Sequence, residues 1–505
     1  MIAPPEHANA TIPPPFVRVF AHDGRWHAYD VNSNQLLDVD AALGRTLLAL
    51  TLARPPRGLE RLAAELGRSS VAGALAEIAQ ARREEGLFLA HRPRIVPRRL
   101  TDADRAAYGT KLSHLILAVT DDCNLACGYC PQASARARPG AARPRYLPRD
   151  IALRALAHFA TRCGDTASPA VSFYGGEPLL RPDLIADVVR TARARRDWPE
   201  LRFIIDTNGT LLDDDAADLV ARERLHLQIS LDGPPPTHDR WRVFPDGRGS
   251  HAAVIAGLRR VLRRDPSAAG RISFQVTAAP PVDLDLLAEW FGDLRAFNEL
   301  GFTGQPHLRL NFADLASCAP AGAGADAAAG PRPSRVRTRW LDACASGHRD
   351  SLDPIARGLL DPAVIRFYHR SRRALPESVV PGGCCLPGLR RLLVTPRGRY
   401  EPCERMGERL EIGGVAGGLE IARVESLAEA FSHAVGERCR DCWAVRLCGL
   451  CYAALARDGR RNDLVLREEI CAGERLRAGS MLRLYADLLA RGAAAGPFLV
   501  NSRLA

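Results

Sequence analysis

The sequence predicts an α/β protein whose main domain contains a parallel β-sheet. From residue 113 onward, six short apolar runs typical of strands alternate with stretches of helical apolar spacing. Six successive β/α units predict a parallel sheet, either an open barrel or a doubly wound sheet. In both architectures the functional groups lie at the carboxyl ends of the strands. The chain has 505 residues, too many for one ordinary core, so we expect two to four domains.

The N-terminal unit, residues 16–93, is predicted to contain three strands followed by three helices. The strands are expected at "FVRVF", "RWHAYDV" and "QLLDVD", with a turn at Asn32–Asn34. The helices are expected at "ALGRTLLALTL", "GLERLAAELG" and "SVAGALAEIAQARREEG", from their apolar spacing and terminal glycines. This order predicts a winged-helix-like module. One interpretation is a DNA-binding winged helix, but the third helix mixes acidic and basic side chains and is poorly suited to phosphates.

The main domain is predicted strand by strand from its apolar runs. The six strands are expected at "HLILAVT", "AVSFYGG", "RFIIDTN", "HLQISLD", "RISFQVTA" and "HLRLNFA". Helices are expected near 149–162, 182–196, 213–223, 251–264 and 283–299. Polar and glycine residues collect where strands end, namely at Asp121–Asp122, Gly175–Glu177, Asn208–Gly209 and Asp232–Gly233. The sequence therefore predicts a site at this edge of the sheet.

The C-terminal third is predicted to be irregular and rich in cysteine. Residues 316–335 are of low complexity and predict a mobile loop, followed by a helix near 352–374. Residues 382–471 hold eight of the fourteen cysteines, with little periodicity, and predict a small domain stabilised by metal rather than by an apolar core. We therefore expect a module at 1–95, a linker at 96–112, the α/β domain at 113–315, a connector at 316–380, the cysteine-rich domain at 381–475 and a C-terminal helix at 476–505.

Composition and charge exclude several classes of protein. The formal net charge is +11, but the basic residues are scattered, which argues against nucleic acid. The charge is either that of a solvated basic surface or that of a surface that attracts an acidic peptide. We find no signal-peptide pattern and no run near the ~20 apolar residues of a membrane span, so we expect a cytoplasmic protein. Fourteen cysteines in a reducing compartment predict metal or cluster ligands rather than disulfides.

Three cysteines lie close together directly after the first strand of the main domain. In "TDDCNLACGYCPQ" they are Cys123, Cys127 and Cys130. A zinc site takes four ligands, and no histidine or fourth cysteine is near in sequence. Iron–sulfur runs of the ferredoxin type also use four cysteines, so three would leave one iron of a [4Fe–4S] cluster open to a substrate.

This cluster resembles the signature of radical S-adenosylmethionine (SAM) enzymes, in which an aromatic residue, here Tyr129, precedes the last cysteine. The resemblance implies a partial (β/α)6 barrel in which SAM chelates the open iron and is cleaved to a 5′-deoxyadenosyl radical. "FYGGEPLL" resembles the GGE motif of the same family, and "DTNGTLL" and "SLDGPPPTHDRWR" match the next two strand ends. Each stretch alone could be an ordinary strand-end turn, but four in order are improbable. The resemblance implies SAM contacts at Tyr129, Gly175, Gly176, Glu177, Pro178, Asn208, Ser230 and Arg242, with the Glu177 carboxylate suited to an ammonium.

The downstream cysteines resemble a SPASM domain, which binds two auxiliary [4Fe–4S] clusters. That resemblance implies Cys385, Cys403 and Cys451 for cluster I, and Cys439, Cys442, Cys448 and Cys471 for cluster II. The final CxxC replaces the more usual CxxxC, and the fourth ligand of cluster I stays open between Cys384, Cys344 and a substrate thiolate. A zinc ribbon is the alternative for the paired CxxC steps. Glu404, beside Cys403, stands where related sulfatase-maturing enzymes have a base, although a surface carboxylate is an equal alternative.

The N-terminal unit resembles the peptide-recognition element of enzymes that modify ribosomally made peptides, most clearly at "YDVNSNQLLDVDA". The resemblance implies that a leader peptide adds as a strand to the module. Together these features predict a peptide maturase with three [4Fe–4S] clusters, SAM and an external electron donor such as flavodoxin or ferredoxin. It would form a carbon–sulfur, carbon–carbon or carbon–oxygen cross-link. The alternatives are oxidation of a Cys or Ser to formylglycine, as in sulfatase maturases, and a zinc-binding winged-helix regulator.

Overall fold

The structure is a computed structural model. It describes residues 13–52, 55–130, 132–133, 143–164, 166–313, 334–382, 385–406, 410–456, 464–493 and 497–501. Two predictions fall outside these ranges: the position of Cys384 and nearly all of the low-complexity loop at 316–335.

The N-terminal module contains an antiparallel sheet followed by three helices, in the predicted order. Its strands pair in the order β1-β2-β3, and a separate apolar cluster joins the sheet to α1 and α3. The Asp40 side chain caps α1 by accepting a hydrogen bond from the backbone N–H of Leu43. The elements are β1 (Val17–His22), β2 (Arg25–Asp30), β3 (Gln35–Val39), α1 (Ala41–Leu50), α2 (Pro55–Leu66) and α3 (Arg68–Glu84).

The predicted linker is a packed part of the fold. It contains β4 (Arg94–Ile95) and α4 (Asp102–Ala107), and a reciprocal capping box between Thr101 and Asp104 starts the helix. Leu100, Tyr108 and Leu112 are buried in the main core. The "TDAD" sequence carried this capping signal, which the prediction of a plain linker missed.

The main domain is a partial barrel. All six predicted strands are present and parallel, and neighbours in sequence are neighbours in the sheet. That order fits a barrel and not a doubly wound sheet, whose strand order reverses. The elements are β5 (His114–Thr120), α5 (Arg149–Ala160), β6 (Ala170–Gly175), α6 (Pro182–Ala194), β7 (Arg202–Thr207), α7 (Asp214–Arg222), β8 (His226–Ser230), α8 (Pro235–His238), α9 (His251–Arg264), β9 (Ile272–Ala278), α10 (Leu284–Gly292), α11 (Leu294–Leu300) and β10 (His307–Phe312). The last predicted helix is two helices, because Asp293 caps a new start.

The two faces of these six strands differ in polarity. Leu117, Phe173 and Ile205 represent the outer face, which is buried in the main apolar cluster. Because successive strand residues point to opposite faces, the intervening residues face the interior of the barrel. There a cavity of ≈ 320 Å³ is lined by His114, Ser172, Tyr174, Asp206, Gln228, Gln275 and Arg309, with Arg391 and Glu404 from the C-terminal region. The barrel therefore encloses a polar lumen.

The cysteine-rich region continues the barrel. β12 pairs in parallel with β5 and so occupies the edge of β5 that would otherwise be available to close the barrel. The barrel therefore stays open, and β13, β14 and β15 extend the sheet beyond β12. The elements are α12 (Val336–Ser346), α13 (Pro354–Tyr368), β11 (Ser378–Val379), β12 (Arg391–Val394), β13 (Arg399–Glu401), β14 (Gly413–Gly414), β15 (Gly418–Leu419), α14 (Ile421–Val435), α15 (Tyr452–Leu455), α16 (Glu468–Ala490) and α17 (Pro497–Asn501).

The prediction that this region lacks an apolar core was wrong. Val424, Leu427 and Phe431 on α14 are buried in the same cluster as the barrel helices. Their spacing of three and four residues was a helical signal that the count of cysteines and glycines obscured. The predicted C-terminal helix is present, but it begins at Glu468 and includes Cys471.

Within the part of the chain that the structure describes, no helix combines the length and the apolar character needed to cross a membrane.

Candidate cysteine-centred active site

The first cysteine loop is fixed along its backbone. It leaves β5 at Thr120 and runs beside the segment that follows β8. The N–H of Ala126 donates to the Val243 carbonyl at 2.8 Å, and the N–H of Gly128 donates to the Trp241 carbonyl at 2.9 Å. A Cβ at position 128 would meet the Trp241 ring at 3.0 Å. Main-chain contacts therefore set the position of this loop.

Gly175 and Gly176 allow two chain segments to approach very closely. The N–H of Gly176 donates to the Thr120 carbonyl, and the N–H of Glu177 donates to the Asp122 carbonyl, each at 2.8 Å. A Cβ on Gly175 would lie 2.2 Å from the Thr120 oxygen, and one on Gly176 would lie 1.9 Å from the Asp122 oxygen. Only glycine fits at these two positions. The pair holds the residues that lead directly into Cys123.

Glu177 is placed differently from its predicted role. Its side chain is fully buried, and Oε1 accepts hydrogen bonds from the Leu179 N–H at 3.0 Å and the Thr207 hydroxyl at 2.7 Å. Oε2 accepts from the Asn208 N–H at 2.7 Å. Burial raises the pKa of Glu177 to about 7, although these hydrogen bonds oppose the rise. The carboxylate thus ties β6 to β7 and is directed at protein donors, not at a ligand ammonium. Next to it, Pro178 opens a short 3-10 helix.

Asn208 reaches the first cysteine loop. Its Nδ2 donates to Asn124 Oδ1 at 2.9 Å and lies 3.8 Å from Cys123 Sγ. Asn124 Nδ2 donates in turn to the Thr210 hydroxyl at 2.8 Å, and that hydroxyl donates to Asn208 Oδ1 at 2.7 Å. Asn124 and Thr210 were not predicted as site residues. They extend the strand-end stretch "DTNGT" into a polar ring beside the first thiol.

Tyr129 and Arg242 meet at a buried carboxylate, Asp232, which was not predicted as a site residue. The Tyr129 hydroxyl donates to Asp232 Oδ2 at 2.5 Å, and Arg242 Nε donates to the same oxygen at 2.8 Å. The Thr277 N–H donates to Asp232 Oδ1 at 2.8 Å. Burial alone would lower the pKa of Arg242, but the Asp232 charge and hydrogen bond, together with Tyr129 and Cys127, outweigh it and raise that pKa. The group fixes Tyr129 against the segment after β8, whereas Ser230 lies half-buried at the end of that strand.

The three thiols of the loop form one group. Cys127 is buried, and burial raises its pKa to about 12, while Arg242 opposes the rise and the Cys130 and Cys123 thiols add to it. A bound iron cluster would hold these thiols deprotonated, because its positive irons invert that balance. Three soft sulfur donors on a rigid loop at the strand ends suit an iron–sulfur cluster.

The second cysteine region contains two groups. Burial raises the pKa of Cys403 to about 12, and the nearby Glu404, Cys451 and Cys385 charges add to the rise, so these three thiols are neighbours. Cys439, Cys442, Cys448 and Cys471 together line a separate cavity of ≈ 160 Å³. The structure thus brings together the residues predicted for each auxiliary cluster. Cys344 lies buried on α12, with Asp361 and Arg349 as its charged neighbours.

The spacing of these thiols differs from that of a zinc site. Zn–S bonds of about 2.3 Å in a tetrahedron place sulfur atoms about 3.8 Å apart. Among the described residues, no three cysteine thiols lie within 4.8 Å of one another.

Glu404 lies in the barrel lumen, beside Cys403. Its Oε1 accepts a hydrogen bond from Arg391 Nη1 at 3.0 Å, whereas Oε2 is buried with no hydrogen-bond partner among the described residues. Burial raises the pKa of Asp206 to about 7, and the Glu404 charge adds to the rise. Burial also raises the pKa of Tyr174, which lies near Glu404, Asp206, Cys130 and Cys403. Tyr174, which lines the lumen together with Glu404, therefore lies near both cysteine regions.

Asp206, Tyr174, Gln228 and Arg309 were missed as candidate site residues. Strands buried on both faces of a parallel sheet are usually apolar throughout. Here polar residues occupy alternate positions in "AVSFYGG", "RFIIDTN", "HLQISLD" and "HLRLNFA". This alternation of polar and apolar residues could have predicted a polar lumen.

Known proteins share the domain that carries the first cysteine loop. Residues 117–267 match the family described as "Radical SAM superfamily". Over 154 residues the chain is 32% identical to "GTP 3',8-cyclase 1" of Mycobacterium tuberculosis, covering 30% of this chain and 40% of that protein. Over 148 residues it is 33% identical to "AdoMet-dependent heme synthase" of Methanosarcina barkeri, covering 29% of this chain and 38% of that protein. The chain thus spans well under two thirds of these relatives.

Solved structures resemble a larger part of the chain. "Native anSMEcpe with bound AdoMet" (AdoMet is SAM) superposes with a TM-score of 0.54 at 15% identity, covering 77% of this chain and 98% of that one. "Native anSMEcpe with bound AdoMet and Cp18Cys peptide" superposes with a TM-score of 0.52 at 16% identity, covering 77% and 98%. At such identity the likeness establishes the fold. Residues 117–267 are therefore similar to the radical SAM superfamily, and the chain has the α/β radical SAM fold.

Proposed function

We propose that this chain is a radical SAM enzyme that modifies a ribosomally made precursor peptide, forming an intramolecular cross-link. The observation that carries the proposal is the polar lumen, whose lining residue Tyr174 lies near both Cys130 of the first cysteine loop and Cys403 of the second cysteine region. When bound, a [4Fe–4S] cluster and SAM supply a 5′-deoxyadenosyl radical that abstracts hydrogen from the substrate. Cys123, Cys127 and Cys130 would hold that cluster, and the two downstream groups of cysteines would hold auxiliary clusters.

The surrounding residues position the reacting parts. Gly175 and Gly176 fix the chain that enters the first cysteine loop, and Asn208 supports the first thiol. Tyr129 and Arg242, locked on Asp232, form the side of the loop nearest β8. Tyr129, Asn208, Ser230 and Arg242 stay the proposed neighbours of SAM. The backbone at Gly175–Gly176 is a better candidate for its ammonium than the Glu177 carboxylate, which is already paired.

Glu404 is the proposed base. Its Oε2 is buried in the lumen without a hydrogen-bond partner among the described residues and is free to accept a proton. Closing a cross-link removes two hydrogens from the peptide. One hydrogen atom would go to the 5′-deoxyadenosyl radical and one proton to Glu404. The remaining electron would leave through the second cysteine region to an external one-electron acceptor.

A peptide substrate agrees with two further observations. The solved structure with a similar fold binds a Cp18Cys peptide together with AdoMet. The N-terminal module offers β1 and β3 as the edge strands of its sheet, where a leader could add as a further strand. The net charge of +11 would attract an acidic leader.

Removing the module is a poor test of leader binding. Tyr29 and Val31 of the module are fully buried against the rest of the protein, so deletion of residues 1–95 would expose apolar surface and disturb the fold. Shortening the peptide instead leaves the enzyme intact.

The test uses the candidate precursor encoded by a short reading frame beside the gene. The anaerobically reconstituted protein is expected to bind roughly twelve irons, as three four-iron clusters require. With dithionite and SAM it should form 5′-deoxyadenosine and a peptide lighter by two hydrogens, detected by mass spectrometry. A leaderless peptide should show a much higher KM. The variant with Cys123, Cys127 and Cys130 all changed to Ala should form neither product, and reductive SAM cleavage in that variant would refute the proposal.

Formylglycine formation is the second candidate, and the position of Glu404, where related sulfatase-maturing enzymes have a base, favours it. It converts a Cys or Ser side chain to an aldehyde, which hydrazide reagents label. A cross-linked product carries no aldehyde. If a hydrazide reagent labels the product, formylglycine formation replaces cross-linking as the proposed function. A colourless protein that holds zinc instead of iron would favour the winged-helix regulator.

A further inference from the structure

We propose that a basic groove beside the second cysteine region docks a small acidic protein that carries one electron. The groove is formed where the segment after β4 passes Val380, and we name it the linker groove. The proposal rests on the proposed function, which consumes one external electron for each SAM cleaved. It adds to that function the surface at which the electron enters the protein and the chemical character of the protein that delivers it.

The linker groove is large and open to solvent. It has a volume of ≈ 690 Å³ and is lined by Arg94, Val96, Pro97, Arg98, Arg99, Thr101, Asp104 and Val380. The Arg94 and Arg99 side chains are exposed. β4 pairs with β11 through hydrogen bonds at 2.8 Å and 3.1 Å, and the N–H of Arg98 donates to the Ser432 hydroxyl at 3.0 Å. The groove therefore has a fixed shape.

The charge of this lining is predominantly positive. Three arginines face one carboxylate, Asp104. That carboxylate is already engaged, because it accepts hydrogen bonds from Thr101 in the capping box and lies 3.6 Å from Arg98. Arg94 and Arg99 have no ion pair with a carboxylate among the described residues. An acidic surface would therefore meet two uncompensated guanidinium groups, the residues best suited to paired contacts with carboxylates.

The groove adjoins the cavity lined by Cys439, Cys442, Cys448 and Cys471. Val380 lines the groove, and the next two residues, Pro381 and Gly382, line the cysteine cavity. Consecutive Cα atoms are about 3.8 Å apart, so one short stretch of backbone separates the two spaces. Ser432, which anchors Arg98, lies on α14, the helix that leads into the turn at Gly436–Cys439. A protein docked in the groove would lie beside this group of four thiols.

An electron carrier suits this surface better than the precursor peptide. Redox partners bind through small, transient and largely electrostatic interfaces, for which one charged groove is sufficient. A peptide would need anchoring pockets or a strand edge, and the groove offers mainly charge. In each encounter the carrier loses one electron and the protein gains it, and one carbon–sulfur bond of SAM is broken for each electron consumed.

The test compares two charge-reversed holoenzymes with the wild type. One variant carries Arg94→Glu and Arg99→Glu. The matched control carries Arg259→Glu and Arg263→Glu, which change the net charge equally on the exposed face of α9, in the barrel domain. The probe is flavodoxin, an acidic one-electron carrier. Its Kd is measured by titration calorimetry at two salt concentrations, and 5′-deoxyadenosine formation is measured with reduced flavodoxin and, separately, with dithionite.

We expect the groove variant to weaken flavodoxin binding and to slow the flavodoxin-driven rate by about tenfold at low salt, with a smaller effect at high salt. Its dithionite-driven rate should match the wild type, and the control should match in every assay. Equal effects in both variants, or no effect in either, would overturn the proposal. A higher KM for the precursor in the dithionite assay would also overturn it and assign the groove to the peptide. If the wild type forms no 5′-deoxyadenosine with dithionite, the proposed function fails, whereas the Kd comparison still decides the docking surface.

Discussion

The two cysteine regions are held in place in different ways. The loop with Cys123 is fixed by backbone hydrogen bonds and by glycines that let two segments touch. The segment with Cys442 and Cys448 is fixed instead by Arg446, which donates to the carbonyls of Val31, Asn32, Ser371 and Arg373 at 2.8–3.2 Å. The first region depends on backbone contacts with other segments of the barrel domain, and the second depends on one side chain that reaches the N-terminal module and the segment at 371–373.

The turn at Asn32–Asn34 connects the N-terminal module to the second cysteine region. It belongs to the stretch that resembles a peptide-recognition element, and besides its hydrogen bonds within the module it contacts the body of the protein. Asn34 Nδ2 donates to the Ser371 carbonyl at 2.7 Å, and the Leu375 N–H donates to the Asn32 carbonyl at 2.8 Å. Trp443 packs against Tyr29 with ring centroids 6.4 Å apart. The N-terminal module thus forms part of the support of the second cysteine region.

Gly176→Ala should produce the largest effect, confined to the first region. Its Cβ would overlap the Asp122 carbonyl at 1.9 Å, so the chain before Cys123 must move. We expect 5′-deoxyadenosine formation to fall at least ~100-fold, the scale on which small misplacements act. Iron content should drop by roughly one four-iron cluster. Gly270→Ala is the control, because a Cβ there meets nothing within 4 Å. Normal turnover by Gly176→Ala would show that the close approach is not needed.

Asp232→Asn should have the next largest effect and would show how far the first loop also depends on side chains. The amide keeps the shape but leaves the buried Arg242 charge without its partner. Losing one partner of a buried pair costs about 3–5 kcal/mol, so we expect a clearly lower free energy of unfolding in urea. Asp197→Asn, in an exposed pair with Arg195, is the control and should change stability little. Equal stability of the two variants would mean that Asp232 is dispensable.

Arg446→Met should weaken the second region and leave the first intact. It removes four hydrogen bonds to carbonyls, whereas Arg446→Lys keeps the charge but cannot reach them all. We expect Met to change the EPR signal and lower the occupancy of the auxiliary centre at the four-cysteine cavity, with Lys intermediate. SAM cleavage with dithionite should change less than twofold. An unchanged EPR signal in Arg446→Met would refute this long-range support.

The contrast also explains what the sequence could predict. Strand order and the first cysteine loop are encoded locally, by apolar runs and by cysteine spacing, and all six strands were located within a residue or two. The role of Glu177 was not predictable in this way, because its three donors come from two segments, one of them on the next strand. In the sequence, Asp232 was recognised only as the first residue of the strand-end pair Asp232–Gly233. The support from Arg446 joins positions more than 400 residues apart, which no local pattern reports.

Asp206→Asn should have the smallest effect, and it tests the lumen between the two regions. Burial first, and Glu404 second, raise the pKa of Asp206 to about 7 in the folded protein. An unfolded Asp releases its proton near pH 3.9, so between about pH 4 and 7 only the folded state holds this proton. The free energy of unfolding should therefore fall as pH rises through this window, because the folded state gives up a proton that the unfolded state has already lost.

Asparagine does not titrate. The difference in Tm between Asp206→Asn and wild type should rise from pH 5 to pH 8, whereas Asp197→Asn, exposed and paired with Arg195, should show no such rise. A constant difference would mean that Asp206 is ionised throughout and presents a negative charge to a substrate in the lumen.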